Sequence, residues 1–359
     1  MKNRKDDNVS SYFCCYLAVT LLFLGIIVIV VFSGEICKMY TINLKLRTRS
    51  LDLKRGSVSM FELNEKVFKK NGYEIVDPTF PIPKLRMINE PTCEKVFSDW
   101  TKIAQQPQPE LPPEKIPDGM EMAFLLQNYS NVYYKYSNDK NSPSGEKPKN
   151  WDRISELMNW APDKVAALAY SPDGLSVHYA MQAHRLDNQS GIVIGSMQPW
   201  VEVFALRSGA RKVLTAEYNA LDIQKEFQDR MSAVQPTHFA EHWQKYADSF
   251  DFAVSFSSIE HSGMGRYGDP IDPIGDIREM LKVKCLLKRG GLFFVGFPAG
   301  PDEIVFNLHR VYGPIRFAMM MTGYELIAVF HGYGPEPRDL TSIKEIFPNR
   351  QNTFVLKKL

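Results

Sequence analysis

Short apolar runs separated by amphipathic segments fill the C-terminal part of the chain, from Trp151 onward. Buried strands form continuous apolar runs, whereas surface helices repeat their apolar positions about every three to four residues. On this basis we predict strands at 191–194, 213–216, 252–256, 292–297, 326–330 and 354–356, and helices at 154–160, 177–186, 199–207, 222–231 and 276–287. Strands that alternate with helices indicate βαβ units, so the predicted fold class is α/β with a doubly wound, mostly parallel sheet.

A second apolar pattern, at 12–32, differs from these runs in its length. It carries no charge over 21 residues, and a helix of that length spans about 30 Å, the thickness of a bilayer core. We therefore predict one transmembrane helix ahead of the α/β domain, with the lipid bilayer as its partner. A cleaved signal peptide is the alternative, although the apolar region of such a peptide is shorter, about 7–15 residues.

The charges beside this span give no clear orientation. Basic residues flank it on both sides, at Lys2, Arg4 and Lys5 and again at Lys38, Lys45, Arg47 and Arg49. Because the preceding tail is short, we expect a single-pass, type II signal anchor, with the domain inside the secretory pathway, in the endoplasmic reticulum or Golgi. Asn128 and Asn188 begin glycosylation sequons, which matter only in that compartment.

Composition divides the whole chain into five predicted parts. They are a tail at 1–11, the anchor at 12–32, a stem at 33–77 with a helix at 57–70, a proline-rich arm and loop at 78–150, and the α/β domain at 151–359. Nine prolines from Pro78 to Pro117 remove backbone donors and fix φ too often for a regular element, so we expect an extended arm there. Cys93 and Cys285, both distant from the anchor, suffice for one disulfide or for two free thiols.

The charge balance argues against one class of partner. Lys and Arg number 43 against 41 Asp and Glu, which leaves a formal net charge of +2. The chain therefore has no broad positive field to hold a polyanion. Nucleic acid is not expected as a partner.

Three glycines, Gly263, Gly265 and Gly268, have the spacing of a dinucleotide-binding loop. Such a loop needs a helix directly after it and an acidic residue about 20 positions later. Here the sequence continues as DPIDPIG, with two prolines and two carboxylates where a phosphate would need open amides, and the acidic position holds Lys288. These features argue against a dinucleotide site.

The segment 191–219 is a better candidate for a cofactor loop. A predicted strand ends at Gly195, a tight turn passes through Ser196, and the next strand ends at Glu217, 22 positions after Gly195. At that spacing a carboxylate accepts hydrogen bonds from ribose hydroxyls. One glycine instead of three argues against a diphosphate, whereas S-adenosylmethionine carries no phosphate. The alternative is that Gly195 only forms a turn and that Glu217 lies on the surface.

Two further stretches resemble known motifs. FDFAVSFSSIEH (250–261) is similar to the fourth-strand motif of class I S-adenosylmethionine-dependent methyltransferases, and LLKRGGLFFVGFP (286–298) resembles a later element of that family, with Arg289 in place of its proline. More narrowly, PWVE, SFSSIEHSGMGRYGD and HRVYGPIR resemble a membrane-anchored, methyltransferase-like family known as domain of unknown function 268.

The resemblance implies a class I methyltransferase-like, Rossmann-like fold and S-adenosylmethionine as the cofactor. The expected cofactor-binding residues are Gly195, Ser196, Glu217, Ser257 and Glu260. The sequence departs from the motifs of this family at two points, and both concern the affinity for the cofactor. The first motif is reduced to GSMQPW, and the acidic residue expected after the third strand has only Glu241 as a weak match.

Polar residues follow two predicted strands that we expect to be neighbours. They are Glu260, His261, Arg266, Asp269 and Asp272 after the strand at 252–256, and Asp302, Asn307, His309, Arg310 and Tyr312 after the strand at 292–297. Methyl transfer needs a positioned acceptor and a base, so we predict His261 or His309 as the base. Arg310 would orient the acceptor, with Arg266 and Arg316 as further candidates. For each, an internal ion pair that fixes a loop is the alternative.

The sequence lacks the motifs of other classes of functional site. There is no Asp-x-Asp triplet for a metal-dependent glycosyltransferase, no Cys/His spacing typical of zinc and no nucleophile elbow. We expect no metal. The working hypothesis is a membrane-anchored methyltransferase with an unknown small-molecule or protein acceptor. The alternative is a catalytically inactive domain of the same fold that binds a ligand or serves as a scaffold.

Overall fold

The computed structural model describes residues 39–54, 56–78, 81–106, 111–139 and 149–359. The predicted membrane span at 12–32 lies outside these residues. Among the described residues, no helix combines the length and the apolar character that a bilayer crossing requires.

Strands make up much of the described chain. They are β1 (Ser50–Leu53), β2 (Gly56–Ser59), β3 (Tyr73–Asp77), β4 (Lys84–Met87), β5 (Asn131–Tyr134), β6 (Lys149–Trp151), β7 (Ser190–Ile194), β8 (Lys212–Ala216), β9 (Leu221–Ile223), β10 (Met231–Val234), β11 (Phe250–Phe256), β12 (Leu287–Ala299), β13 (Glu303–Phe306), β14 (His309–Val311), β15 (Tyr324–Phe330) and β16 (Arg350–Lys358).

The helices are mostly short. They are α1 (39–48), α2 (Met60–Leu63), α3 (Cys93–Ala104), α4 (Glu121–Phe124), α5 (Ile154–Leu157), α6 (Pro162–Ala166), α7 (Leu175–Ala183), α8 (Trp200–Arg207), α9 (Pro236–Glu241), α10 (Gly275–Leu286), α11 (Pro314–Met320) and α12 (Ile343–Ile346). A π-helix at Asn64–Phe68 extends α2, and 3₁₀ turns occur at Lys69–Asn71, Lys225–Phe227, Trp243–Lys245 and Ile259–His261.

A seven-stranded sheet forms the centre, in the order β10-β8-β7-β11-β12-β16-β15. The first five strands in this order run parallel to one another, and β16 is antiparallel to both of its neighbours. The doubly wound, mostly parallel sheet predicted from the apolar runs is therefore confirmed. The chain order reverses between β7 and β11, and ligands of such sheets bind beyond the carboxyl ends of the strands at this switch point.

Both faces of the sheet are covered. Side chains alternate along each strand, so Phe294 packs with α7 and α8 on one face, whereas the adjacent Phe293 packs with α10 and α11 on the other. Leu63 and Phe68 from the N-terminal segment belong to this second core. The segment predicted as a stem thus contributes to the core.

The region predicted as an extended proline-rich arm contains a regular helix. Thr92 caps α3 through its side chain, and Phe97 and Trp100 on its apolar side are buried. The prolines lie outside this helix, so their density did not prevent it. Cys93 at its start forms a disulfide with Cys285 on α10, with the two Cα atoms 5.7 Å apart. Of the two states left open for these cysteines, the structure contains the disulfide.

One predicted helix is wrong. Residues 222–231 form the end of β9, a 3₁₀ turn and the start of β10. β9 pairs with β6, and β10 pairs with β8 at the edge of the central sheet. Edge strands are only partly buried, so polar residues interrupt their apolar runs. The remaining apolar positions then have a spacing similar to that of a surface helix. Similarly, the helix predicted at 57–70 starts only at Met60, because β2 precedes it.

Candidate functional site

The turns after β7 and β11 touch at the carboxyl edge of the sheet. Gly195, directly after β7, has φ +72°, and a Cβ atom built there would lie 2.3 Å from Ser258 Oγ. Ser255 Oγ donates to the carbonyl oxygen of Ile194 at 3.2 Å, which links the two strands just before these turns. Two of the predicted site loops are therefore neighbours, and Gly195 is required both by its φ and by the contact with Ser258.

The turn after β7 is also joined to the carboxylate that follows β8. The backbone N–H of Ser196 donates to Glu217 Oε2 at 3.1 Å, and Asn219 donates to Oε1 through its backbone N–H at 3.1 Å and its Nδ2 at 2.9 Å. Glu217 is only 8% exposed, so the alternative of a surface carboxylate does not apply. A carboxylate has about four acceptor positions. These three hydrogen bonds leave one of them on Oε2.

Beneath this turn lies a second, fully buried carboxyl group, that of Glu202 on α8. Its Oε2 is 3.1 Å from Ser196 Oγ, and its Oε1 accepts from Thr215 Oγ1 at 2.9 Å. Burial raises the pKa of Glu202 to about 7. Glu202 therefore links the turn after β7, through Ser196, to β8, through Thr215.

Glu260, in the turn after β11, is fully buried and incompletely paired. Its Oε1 accepts from Ser257 Oγ at 2.9 Å, whereas its Oε2 has no hydrogen-bond partner. Burial raises the pKa of Glu260 to about 7, although the Ser257 bond and the charge of Arg310 oppose this rise. Burial of an acceptor without a donor lowers the stability of the folded protein, so such an atom usually has a functional or structural explanation.

His261 has a defined tautomer. Its Nδ1 lies 2.7 Å from the carbonyl oxygen of Leu308, and because a carbonyl only accepts, Nδ1 carries the proton and Nε2 the lone pair. Nε2 lies 3.8 Å from Glu260 Oε1. Burial lowers the pKa of His261 to about 4. At neutral pH the pair is therefore a neutral imidazole beside a carboxyl group that titrates near 7, and not an ion pair.

The second predicted base, His309, lies close to the first. It is on β14, which pairs with β13, and its ring centroid is 6.2 Å from that of His261. Its side chain is half-buried, and burial lowers its pKa, with Arg266 and Lys135 adding to the effect. The structure therefore brings both histidines together.

Arg310 does not face an open pocket. It is 1% exposed, and its guanidinium donates to the carbonyl oxygens of Ser262 at 2.6 Å and Asp272 at 3.1 Å. Its Nε lies 3.6 Å from Asp276 Oδ2. These contacts fasten the loop after β11 to the interior. The arginine predicted to orient an acceptor is thus enclosed by the protein.

The other predicted polar residues also have internal partners. Arg316 pairs with Asp276, Arg266 with Asp139 at 2.6 Å, Asp272 with Arg278 at 2.6 Å, Tyr312 with Asp276 at 3.1 Å, Asn307 with the backbone of Ser137, and Asp302 with the backbone N–H groups of Gly313, Ile315 and Arg316. For the arginines in this group, the alternative of loop-fixing ion pairs describes what the structure contains.

The three-glycine loop binds a carboxylate of its own chain. Asp269 Oδ2 accepts from the backbone N–H groups of Gly263, Met264 and Gly265 at 2.8, 3.0 and 3.2 Å. Backbone amides that converge in this way form an anion-binding nest. Since Asp269 fills it, the loop is closed to an external phosphate, in agreement with the rejection of a dinucleotide site.

Sequence reasoning missed three residues that organise this site. Ser258 contacts Gly195, Asn219 orients Glu217, and Asp276 balances the two buried arginines. The position of Asn219, two residues after the candidate carboxylate, was a usable local signal. The roles of Ser258 and Asp276 depend on contacts between distant parts of the chain.

A cavity of about 250 Å³ lies elsewhere, beyond the carboxyl end of β12. Lys54, Asn131, Asp302, Lys344 and Asn349 contribute polar side chains to its wall. Neither Gly195 nor Glu217 lines it. Burial raises the pKa of Asp302 to about 6, but the carboxylate is already engaged at the start of α11.

Several solved structures are similar in fold to this chain. 1,6-Didemethyltoxoflavin-N1-methyltransferase from Burkholderia thailandensis, with 1,6-didemethyltoxoflavin and S-adenosylhomocysteine bound, is 12% identical, matches 57% of this chain and 84% of its own, and gives a TM-score of 0.36. A protein from Listeria monocytogenes assigned as an S-adenosylmethionine-dependent methyltransferase is 12% identical, with 51% of this chain and 98% of its own covered and a TM-score of 0.31.

A protein from Galdieria sulphuraria assigned as a sarcosine dimethylglycine methyltransferase is also 12% identical, with 52% and 85% of the two chains covered and a TM-score of 0.34. No curated protein matches this sequence. At the level of families, residues 188–359 match the model described as Caenorhabditis protein of unknown function, DUF268.

Proposed function

We propose that the protein is an S-adenosylmethionine-dependent methyltransferase, anchored in a membrane by residues 12–32, that acts on a small-molecule or protein acceptor. The observation that carries this proposal is the link between Ser196 and Glu217. It holds a carboxylate with one open acceptor position beside the turn after the first strand, at the edge where ligands of doubly wound sheets bind.

The residues present are chemically suited to this cofactor. The open position on Glu217 Oε2 suits a ribose hydroxyl, and Glu260 Oε2, buried and without a donor, suits the cofactor's amino group. Ser257 and Gly195 would line the same cradle, because their turns are in contact. When bound, the sulfonium cofactor supplies an electrophilic methyl group.

His261 is the better of the two candidate bases. Its Nε2 has a lone pair at neutral pH, since Nδ1 is committed to the Leu308 carbonyl oxygen. Accepting a proton from a hydroxyl or amine of the acceptor creates a buried imidazolium. The carboxyl group of Glu260, 3.8 Å from Nε2, stabilises that charge when ionised.

The disulfide supports a lumenal location for the domain. The bond between Cys93 and Cys285 is of a kind that persists in oxidising compartments such as the endoplasmic reticulum lumen. A type II signal anchor would deliver the domain there. We therefore propose that the anchored enzyme lies within the secretory pathway.

Calorimetric titration with S-adenosylhomocysteine tests the function. The full chain in detergent micelles should bind this product, and Glu217→Ala should weaken binding by at least about tenfold, because it removes a charge-assisted hydrogen bond. Glu226→Ala removes an exposed carboxylate and is the matched control. No binding by a wild-type chain whose circular dichroism shows a folded domain would contradict the proposal.

A catalytically inactive domain that binds a ligand or acts as a scaffold is the second candidate. The enclosure of Arg310 favours it, since the cation expected to hold an acceptor is bonded to backbone carbonyls instead. Such a protein would bind S-adenosylhomocysteine weakly or not at all, and His261→Asn would leave its ligand binding unchanged. A methyltransferase would lose turnover with the same substitution while keeping its affinity for the cofactor.

A further inference from the structure

The residues around the end of α9 form a cluster of potential metal ligands. His238 and Glu241 are on this helix and His242 follows it, so the three occupy positions i, i+3 and i+4 and share one side. One ligand atom from each side chain lies within 4.8 Å of the other two. The two imidazole rings are adjacent, with centroids 4.3 Å apart.

A hydrogen bond orients one of these rings. His242 Nδ1 lies 2.9 Å from the carbonyl oxygen of His238, and since a carbonyl only accepts, Nδ1 carries the proton and Nε2 the lone pair. Histidines that bind metals commonly donate their other ring N–H to a backbone carbonyl, which fixes the tautomer and the ring orientation. The hydrogen bond at Nδ1 therefore leaves the lone pair of His242 Nε2 available to bind a metal ion.

The helix that carries the cluster is fixed from behind. Phe239, between the two histidines in sequence, is buried, with its ring centroid 4.6 Å from that of Tyr246 and 6.3 Å from that of Phe97. His238 and Glu241 are exposed on the outer side of the helix. The ligands are thus open to solvent on an element whose inner side is packed.

We propose that His238, Glu241 and His242 bind one divalent transition-metal ion, with Zn²⁺ as the physiological ion. Two imidazole nitrogens and one carboxylate oxygen are a typical Zn²⁺ donor set, and solvent exposure leaves a fourth tetrahedral position for water. Ca²⁺ and Mg²⁺ prefer oxygen ligands throughout, so they do not suit this set. The site is independent of the proposed methyltransferase activity.

Direct metal titration tests this site. The full chain, purified in detergent without a polyhistidine tag, is titrated with Zn²⁺ against a chelating dye and separately with Co²⁺, whose visible absorption reports the ligand geometry. We expect one ion per chain. His238→Asn and His242→Asn should each lower the affinity by about tenfold or more. His331→Asn, which removes an imidazole outside the cluster, should leave the affinity unchanged.

Two results would overturn the proposal. One is the absence of stoichiometric binding by the wild-type chain, and the other is undiminished binding by a folded variant that lacks both histidines. If the double variant does not fold, the wild-type Co²⁺ spectrum decides the matter. Intense bands of a tetrahedral site support the proposal, whereas a spectrum no different from that of free Co²⁺ contradicts it.

Discussion

The backbone N–H of Ser196 lies 3.1 Å from Glu217 Oε2, so the turn after β7 and the carboxylate after β8 form one unit. Ser258 extends this unit to the turn after β11 through its contact with Gly195. Three adjacent strands therefore end in loops that support one another. A substitution in any one of these loops should therefore also disturb the conformation of the other two.

Gly195→Ala should destabilise the protein. The new methyl group meets Ser258 Oγ at 2.3 Å, and the φ of +72° disfavours any residue with a Cβ atom. We expect the free energy of unfolding to fall by roughly 1–3 kcal/mol in urea titrations. Gly334→Ala is the matched control, because that Cβ would have no atom within 4 Å. Equal effects of the two substitutions would show that Gly195 is not under constraint.

Stability should respond to pH through Glu260. Its pKa is raised from 4.5 to about 7 on folding, so the folded protein keeps a proton that the unfolded chain loses between these values. The contribution of Glu260 to stability is therefore full below pH 4.5 and is lost as the pH rises through 7.

Comparison with Glu260→Gln isolates this contribution. The difference in unfolding free energy between variant and wild type should shift by about 3 kcal/mol in favour of the variant between pH 4 and pH 8. Glu202 and Asp302, whose pKa values are also raised by burial, remain in both proteins and cancel. Parallel stability curves for the two proteins would mean that Glu260 titrates normally.

The buried charges around Asp276 should be essential for stability. Burial alone would raise the pKa of Asp276, but the charges of Arg310 and Arg316 lower it below its ordinary value. Asp276→Asn leaves two buried arginines without their counter-charge, and we expect a loss of about 3–5 kcal/mol in unfolding free energy. Asp187→Asn breaks an exposed pair with Arg185, which solvent screens, and should therefore cost far less than Asp276→Asn. Similar losses for both variants would contradict the role of Asp276 as the counter-charge of Arg310 and Arg316.

Glycosylation should reveal the compartment of the domain. Asn128 and Asn188 are both exposed, so a lumenal domain would offer two accessible sequons. Translation of the full chain with microsomes should yield a product that peptide N-glycosidase shortens. Asn128→Gln and Asn188→Gln should each remove one glycan, and the double variant should be unmodified. A wild-type chain that gains no glycan and is open to added protease would place the domain in the cytosol.

The central sheet was predictable because its strands are apolar on both faces. β7, β8 and β11 appear in the sequence as short charge-free or nearly charge-free runs, and their alternation with helices indicates a mostly parallel sheet. The edge strands β9 and β10 escaped prediction, since strands that are exposed on one side can be identified only from their pairing partners.

The candidate site was only partly predictable, for a similar reason. The positions of Gly195, Glu217 and His261 relative to the strand ends are local features of the sequence. By contrast, the carbonyl oxygens that accept hydrogen bonds from Arg310 belong to Ser262 and Asp272, which are 48 and 38 residues away in the sequence. His238, Glu241 and His242 were not predicted as metal ligands, because side chains at this spacing converge only on a helix and no helix was predicted at 236–241.

The disulfide between Cys93 and Cys285 closes a covalent ring whose ends are 192 residues apart in sequence. The residues proposed to bind the cofactor and those proposed to bind the metal ion all lie between these two cysteines in the sequence. A single peptide-bond cleavage anywhere between the two cysteines would leave one covalently connected molecule. Its fragments would migrate together on a gel until a reducing agent released them.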